Sequence, residues 1–411
     1  MSCKYYDGMF CGGVVMTKKS AKLEESKELE ELAERYKKKI GNVDTIDKFL
    51  EKYNPWREKN PEEENTQRKG KDIDELLDDF FEALKNDNKE FSWLKIDEDL
   101  YNELKDKNGR AASIDYGVPS HVRGDIENGT LFLCLVNPNI QYNGSKKKNI
   151  TKFYEEAKKL ESDDQSLKIL DKNGDILKTK KEIENYIINK EAKSSILYNE
   201  LDSLYKKIKK DKKTPKKYYG YYLSRYFAQI IISYMNKKKD IQPLMQNLKE
   251  DEWDKLKQMS TKIVNLEAFP FRSSTPNFAK KSTKDYENRF ANCLVKSTSK
   301  VIMLSARIII WRIVKYLNDY KKGIANKRPV FVFRRFDTAW LPSLKKVLCC
   351  DLEFKQGDSE KLINTLDQYF FLTIDKKSSN MMRGYIGKRL FKNDTMLSND
   401  EFDEFVTETL K

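Results

Sequence analysis

Apolar residues in the first quarter of the chain recur with a helical period. Leu29, Leu32, Ala33, Tyr36 and Ile40 share one face, as do Ile46, Phe49, Leu50 and Tyr53. Ile73, Leu76, Leu77, Phe80, Phe81 and Leu84 form the strongest stripe. Asn54 to Lys71, between the last two, carries two prolines and many charges and reads as a linker. Residues 1–108 are therefore expected to be an N-terminal helical accessory region. It carries no motif for chemistry and is expected to pack on the rest of the chain or on a protein partner.

The pattern changes after Gly109. Leu131 to Val136 is an unbroken apolar run ending in Asn137-Pro138-Asn139. A run apolar on both faces is what a central strand of a covered parallel sheet requires. Similar runs recur at Ile263 to Leu266, Val330 to Phe333 and Tyr369 to Ile374. Helical patterns lie between the later ones, at Tyr286 to Tyr320, Leu341 to Leu348 and Ser359 to Leu366. The alternation predicts an α/β domain over 109–411, with a parallel-type central sheet and helices on both faces. A long insertion at about 145–258 interrupts it. Within this insertion Ile169 to Leu177 reads as a hairpin, and Lys181 to Lys210 and Tyr218 to Met235 as helices. The last of these is rich in tyrosine, a pattern of packing or of a stacking platform for bases.

Charge narrows the partner. The chain has 411 residues and a formal net charge of +14, and only 15 of its 79 basic residues are arginine. Eight lysines fall within Lys206 to Lys217. Such an excess suits a polyanion, DNA first, or else a solvated lysine-rich surface. The six cysteines show no spacing pattern, which reads as a reducing compartment. His121 is the single histidine, so a His-pair zinc motif is excluded. No cofactor or metal is expected. The first residues lack a long apolar stretch, and Val301 to Trp311 is too short to span a bilayer. A cytoplasmic protein without membrane contact is the expectation.

In an open α/β sheet, ligands bind beyond the carboxyl ends of the strands. The loops there hold Asn137-Pro138-Asn139, Phe269 to Ser273, Arg334 to Asp337 and Ser378 to Arg383. They offer amides, hydroxyls and arginines, groups that suit a base and phosphates.

On these residues the chain resembles the uracil-DNA glycosylase superfamily. That family opens its site with a strand ending in a G-x-D-P or G-x-N-P turn, whose acid or amide positions the attacking water. Leu135-Val136-Asn137-Pro138-Asn139 looks like the asparagine version, which implies that Asn137 is the catalytic residue. The family's next strand carries an asparagine that reads the flipped base, and Asn265 takes that place. Ser378-Ser379-Asn380-Met381 matches, in order and spacing, the family's serine-containing closing loop, which wedges into the duplex. The segment Pro119 to Asp125 is similar to the approach to the first strand in glycosylase-like bacterial proteins. The resemblance spans roughly 115–395 without the insertion.

It implies a DNA glycosylase acting on double-stranded DNA. Asn265 and Tyr142 would bind the flipped base, and Arg272, Ser273, Ser379, Asn380 and Arg383 would hold DNA around it. Val136 and Asn139 stand where the family has glycines, and the closing loop lacks the family's frequent histidine. These departures point away from routine uracil repair and toward a modified base in foreign DNA, such as phage DNA. Two other classes remain open. One is a metal-dependent nuclease using Asp337 and Glu353-Phe354-Lys355, although Glu156-Ala157-Lys158 shows how easily such triplets arise here. The other is a non-catalytic nucleic-acid-binding protein.

Overall fold

The computed structural model describes residues 26–57, 70–87, 90–105, 112–138, 149–157, 168–171, 173–211, 220–237, 240–273, 286–324, 326–378, 380–390 and 393–411. Eight strands form one mixed sheet. They are β1 (Val122–Arg123), β2 (Leu131–Leu135), β3 (Ile188–Asn189), β4 (Ile263–Glu267), β5 (Val330–Phe333), β6 (Phe371–Ile374), β7 (Ile386–Leu390) and β8 (Asn393–Met396). Their order is β3-β1-β4-β2-β5-β6-β7-β8. The four apolar runs of the sequence are the inner strands β4-β2-β5-β6, all parallel. β1 runs antiparallel to β4, and β7 and β8 extend the other edge antiparallel. The chain is thus α/β, with its parallel strands confined to the centre of a mixed sheet.

Side chains alternate across the sheet and divide it into two faces. Phe132, Cys134, Val264, Leu266, Phe331, Phe333 and Phe371 point into one apolar cluster. The N-terminal helices contribute Leu32, Phe49, Leu76 and Phe80 to that same cluster, beside helix Lys300–Lys321. Phe49 lies 5.3 Å from Trp311, whose indole N–H donates to Val43 O at 2.8 Å. The N-terminal helices are therefore a layer over the sheet. Their stripes form for local reasons as well. Asp72 and Glu75 make a capping box at the start of Ile73–Asn86, and Lys27–Ile40 carries acids in its first turn and lysines in its last.

Leu131, Leu133, Leu135, Ile263, Val330, Val332, Leu372 and Ile374 point the other way. The insertion covers this face through helices Ile196–Asp211, Ala228–Tyr234 and Glu250–Ser260, with the last helix Asn399–Leu410 beside them. Insertion and N-terminal region are thus the two outer layers of one sheet.

Several elements differ from their expected bounds. Lys181 to Lys210 is broken, because Ile188–Asn189 pairs with Val122–Arg123 as β3. Tyr286 to Tyr320 splits into Tyr286–Lys296 and Lys300–Lys321, where Ser299 caps the second helix by accepting from Ile302 N. Leu341 to Leu348 is a short helix between π-helical turns Phe336–Trp340 and Val347–Asp351. The hairpin at Ile169 to Leu177 is reduced to a single bridge, Leu170 to Ile176. β6 starts at Phe371 because helix Gln356–Tyr369 continues to Tyr369. No helix among the described residues is long and apolar enough to cross a membrane.

Candidate functional site

Chain order among the parallel strands is second, first, third, fourth. The direction of winding reverses between β2 and β5, and the carboxyl ends of those strands flank a topological switch point. Asn137 stands just beyond β2. Its side-chain Nδ2 donates to Pro138 O and to Phe271 O, both at 3.3 Å. Ser273 N donates to Pro138 O at 3.3 Å, and Phe269 N to Val136 O at 2.9 Å. The loops after β2 and β4 are stitched together, and Asn137 is the side chain that joins them. With its nitrogen committed, its amide oxygen is the atom left to meet a ligand or water.

Asn265 lies on β4 in register with Leu133 and is 3% exposed. Neither its Oδ1 nor its Nδ2 has a hydrogen-bond partner among the described residues. A buried polar atom without a partner costs about 1–3 kcal/mol, so this amide is an expensive choice for a central strand. Asn265 sits four residues below the level of Asn137, about 13 Å along the strand. The structure thus places the two asparagines at one end of adjacent strands, one at the tip and one inside.

Glu267 lies between those levels, in register with Leu135 and buried. Arg334 continues β5 by one residue, its N–H donating to Cys134 O at 2.9 Å. Its Nη1 donates to the hydroxyl of Tyr226 at 3.0 Å. Tyr226 belongs to a π-helical turn, Leu223–Phe227, supplied by the insertion. Such turns are rare and frequent at functional sites. Burial holds the Tyr226 hydroxyl above the usual tyrosine range; Arg334 opposes that effect and Glu267 adds to it. The Glu200 carboxylate accepts from Tyr222 N and Leu223 N at the start of the turn. Glu267 was not among the expected site residues, while Arg334 was expected only as part of a rim loop and Tyr226 only as part of the tyrosine-rich band, neither with a role of its own. Their signal was position: each neighbours the end of an apolar run or lies in the tyrosine-rich band.

The other expected residues fall as follows. Ser273 is fully buried, and its hydroxyl has no partner among the described residues. Arg272, expected to hold phosphate, is 1% exposed. Its Nε donates to Val118 O at 2.7 Å and its Nη2 to Tyr186 OH at 2.8 Å, so it braces the interior and does not face a backbone phosphate. Arg383 pairs with Asp403 and lies over the Phe402 ring, held against the last helix. Asn380 donates from its Nδ2 to Met382 Sδ at 3.7 Å and from its backbone N–H to Ser378 Oγ at 3.0 Å. Tyr142 and Ser379 lie outside the described residues.

His121 is fully buried, and its Nδ1 accepts from the indole N–H of Trp56 at 3.3 Å. Burial lowers its pKa to about 3, so the ring is neutral at physiological pH. Its backbone oxygen accepts from Glu267 N, which ties it to the same strand end.

A cavity of about 450 Å³ lies between Asp97–Glu103 and Cys293–Val301. None of the expected site residues lines it. Its walls carry Asp97, Asp99 and Glu103 beside Lys296 and Lys300, so it has no excess of positive charge with which to attract a phosphodiester. Among the described residues no group of three or more His, Cys, Asp or Glu side chains is placed to hold a metal. Asp337 pairs with Lys376 at 3.1 Å, and Glu353 pairs with Lys39. Compared with known proteins, the chain matches no family model, no curated protein and no solved structure.

Proposed function

We propose that this chain is a DNA glycosylase-like hydrolase that cleaves the N-glycosidic bond of a base drawn out of its stack. The observation that carries the reading is the Asn265 side chain, a buried donor and acceptor with no partner. A base edge presents the complementary acceptor and donor, and reading a flipped base by such contacts is a general solution. The strand order supports it by setting a switch point beside Asn137. The Asn137 oxygen would orient a water toward the sugar carbon. That water's oxygen bonds to the carbon as the carbon–nitrogen bond breaks; the electron pair leaves with the base, and the water's released proton ends on the departed base. Negative charge then develops on the base, where the Arg334 side of the rim is favourable. The target consistent with the departures noted above is a modified base in foreign DNA, which would make the protein a defence factor.

The test is incubation, with EDTA present, of the purified protein with DNA carrying uracil or modified cytosines and with modified phage DNA. Alkali then reveals abasic sites. Alkali-labile breaks that disappear in Asn137→Ala are expected. Breaks that need magnesium and no alkali would instead indicate the nuclease. Binding without breaks would leave a non-catalytic nucleic-acid-binding protein.

A further inference from the structure

The insertion places an unusual surface at the mouth of this site. Tyr221 is 43% exposed, one of few large apolar side chains so placed. Its ring lies 5.4 Å from that of Tyr222 and 6.1 Å from that of Tyr226. Tyr226 and Tyr222 in turn lie 5.7 Å apart, so three rings make one continuous cluster. The cluster begins in the interior, at the Tyr226–Arg334 bond, and ends in solvent at Tyr221. Arg225 follows Tyr221 by four residues, about one turn further along, and is exposed. No hydrogen bond or ion pair engages its guanidinium among the described residues. Ordinary packing accounts for Tyr226, which is buried. It does not account for an exposed ring with an uncommitted arginine one turn away.

We infer that Tyr221 and Arg225 form a ledge for unpaired nucleotides, with a base stacked on the Tyr221 ring and a phosphate on Arg225, so that the chain takes a single-stranded stretch of DNA. The inference rests on the nucleic-acid reading above and adds to it the state of the strand. Every base has a π-face, so stacking tolerates sequence, and it contributes about 1–3 kcal/mol per base. A base in a duplex has no free face to offer, whereas a protein that reads duplex backbone needs cations and little exposed ring. The ledge continues inward to Tyr226, Arg334 and the level of Glu267, so a strand lying on it would bring a neighbouring nucleotide to the strand ends. The chain therefore need not extract its target base from a helix, which removes a cost of a few kcal/mol.

The experiment is fluorescence anisotropy with a labelled oligo-dT and with a duplex of the same length, at one fixed salt concentration. The full-length protein, Tyr221→Ala and Tyr221→Phe are compared. The expected result is at least tenfold tighter binding of the single strand. Tyr221→Ala should weaken it about 5- to 150-fold, from the stacking energy above, and leave duplex binding unchanged. Tyr221→Phe keeps the ring and should restore most of the affinity, which separates stacking from a fold defect. Duplex binding equal to or tighter than single-strand binding, or a Tyr221→Ala variant with unchanged affinity, would overturn the ledge while leaving the glycosylase reading standing. Absence of binding to either probe would overturn both.

Discussion

The two faces of the sheet are built from the same four strands, yet they differ in what they bury. The face under the N-terminal helices is aromatic: Phe132 and Phe331 meet at 4.6 Å, and Phe333 and Phe371 at 4.9 Å. The face under the insertion is aliphatic at its base and becomes polar toward the carboxyl end. There Asn265 and Glu267 replace the apolar residues that the alternation calls for. Ring packing on the first face needs nothing further. The second holds an amide whose desolvation nothing in the described protein offsets. A fold under selection for stability alone would place an aliphatic side chain at 265. On the function proposed above, the difference separates a face that holds the molecule together from one that would bind the base.

The comparison breaks first if the aromatic face is not the main source of stability. Phe331→Ala should destabilise by about 3–5 kcal/mol in chemical unfolding, through lost burial and a residual cavity. A change below 1 kcal/mol would contradict the assignment. On the polar face, Asn137→Ala should lower base excision about 100-fold, since a misplaced water forfeits alignment. Single-turnover kinetics check this, with binding affinity retained.

His121 links the two regions, its ring against Trp56 and its backbone against Glu267. Its folded pKa of about 3 lies below the ordinary value of 6.5, so the unfolded state binds the proton first. The stability it contributes is fully present above pH 6.5 and is lost progressively as pH falls toward 3. Between pH 6.5 and pH 5 the loss is about 2 kcal/mol. His121→Asn should flatten that part of the stability–pH curve relative to the parent chain, and an unchanged slope would contradict the burial. Smaller still, Tyr226→Phe removes the acceptor for Arg334 and should cost about 1–2 kcal/mol. It should reduce activity more than its stability loss explains if Arg334 must be held in place, as a comparison of unfolding and excision rates would show.

Much of the central sheet was legible because a doubly covered strand has to be apolar on both faces. β2, β4, β5 and β6 could be read for that reason alone. β1 and β3 could not, since two residues carry no period. β7 and β8 were hidden because Gly387, Lys388 and Arg389 break the apolar run in β7, which pairs with β6 over only two residues and otherwise with the edge strand β8. The layers were illegible for another reason. A helical stripe shows that a helix has a buried side, and it does not show what that side meets. The N-terminal stripes therefore left open whether they meet the rest of the chain or a partner. At the site, Asn137 stood out as a polar residue just past an apolar run and Asn265 as one inside a run, and the resemblance gave each its expected role. Glu267 did not stand out, because a carboxylate at the end of a run marks a strand boundary more often than a buried group. Arg272 looked like a rim cation because nothing in its neighbourhood in sequence announces Val118 or Tyr186, its partners from far along the chain.

The most direct measurement is the thermal unfolding of Asn265→Leu beside the parent chain, with excision activity followed on the same samples. If the amide is kept for a ligand, the leucine variant should unfold at the same temperature or higher, because an unpartnered buried polar group is replaced by an apolar one of similar size, and excision should be lost. A clearly lower unfolding temperature would mean that the Asn265 amide supports the fold, and the distinction between the two faces would fail.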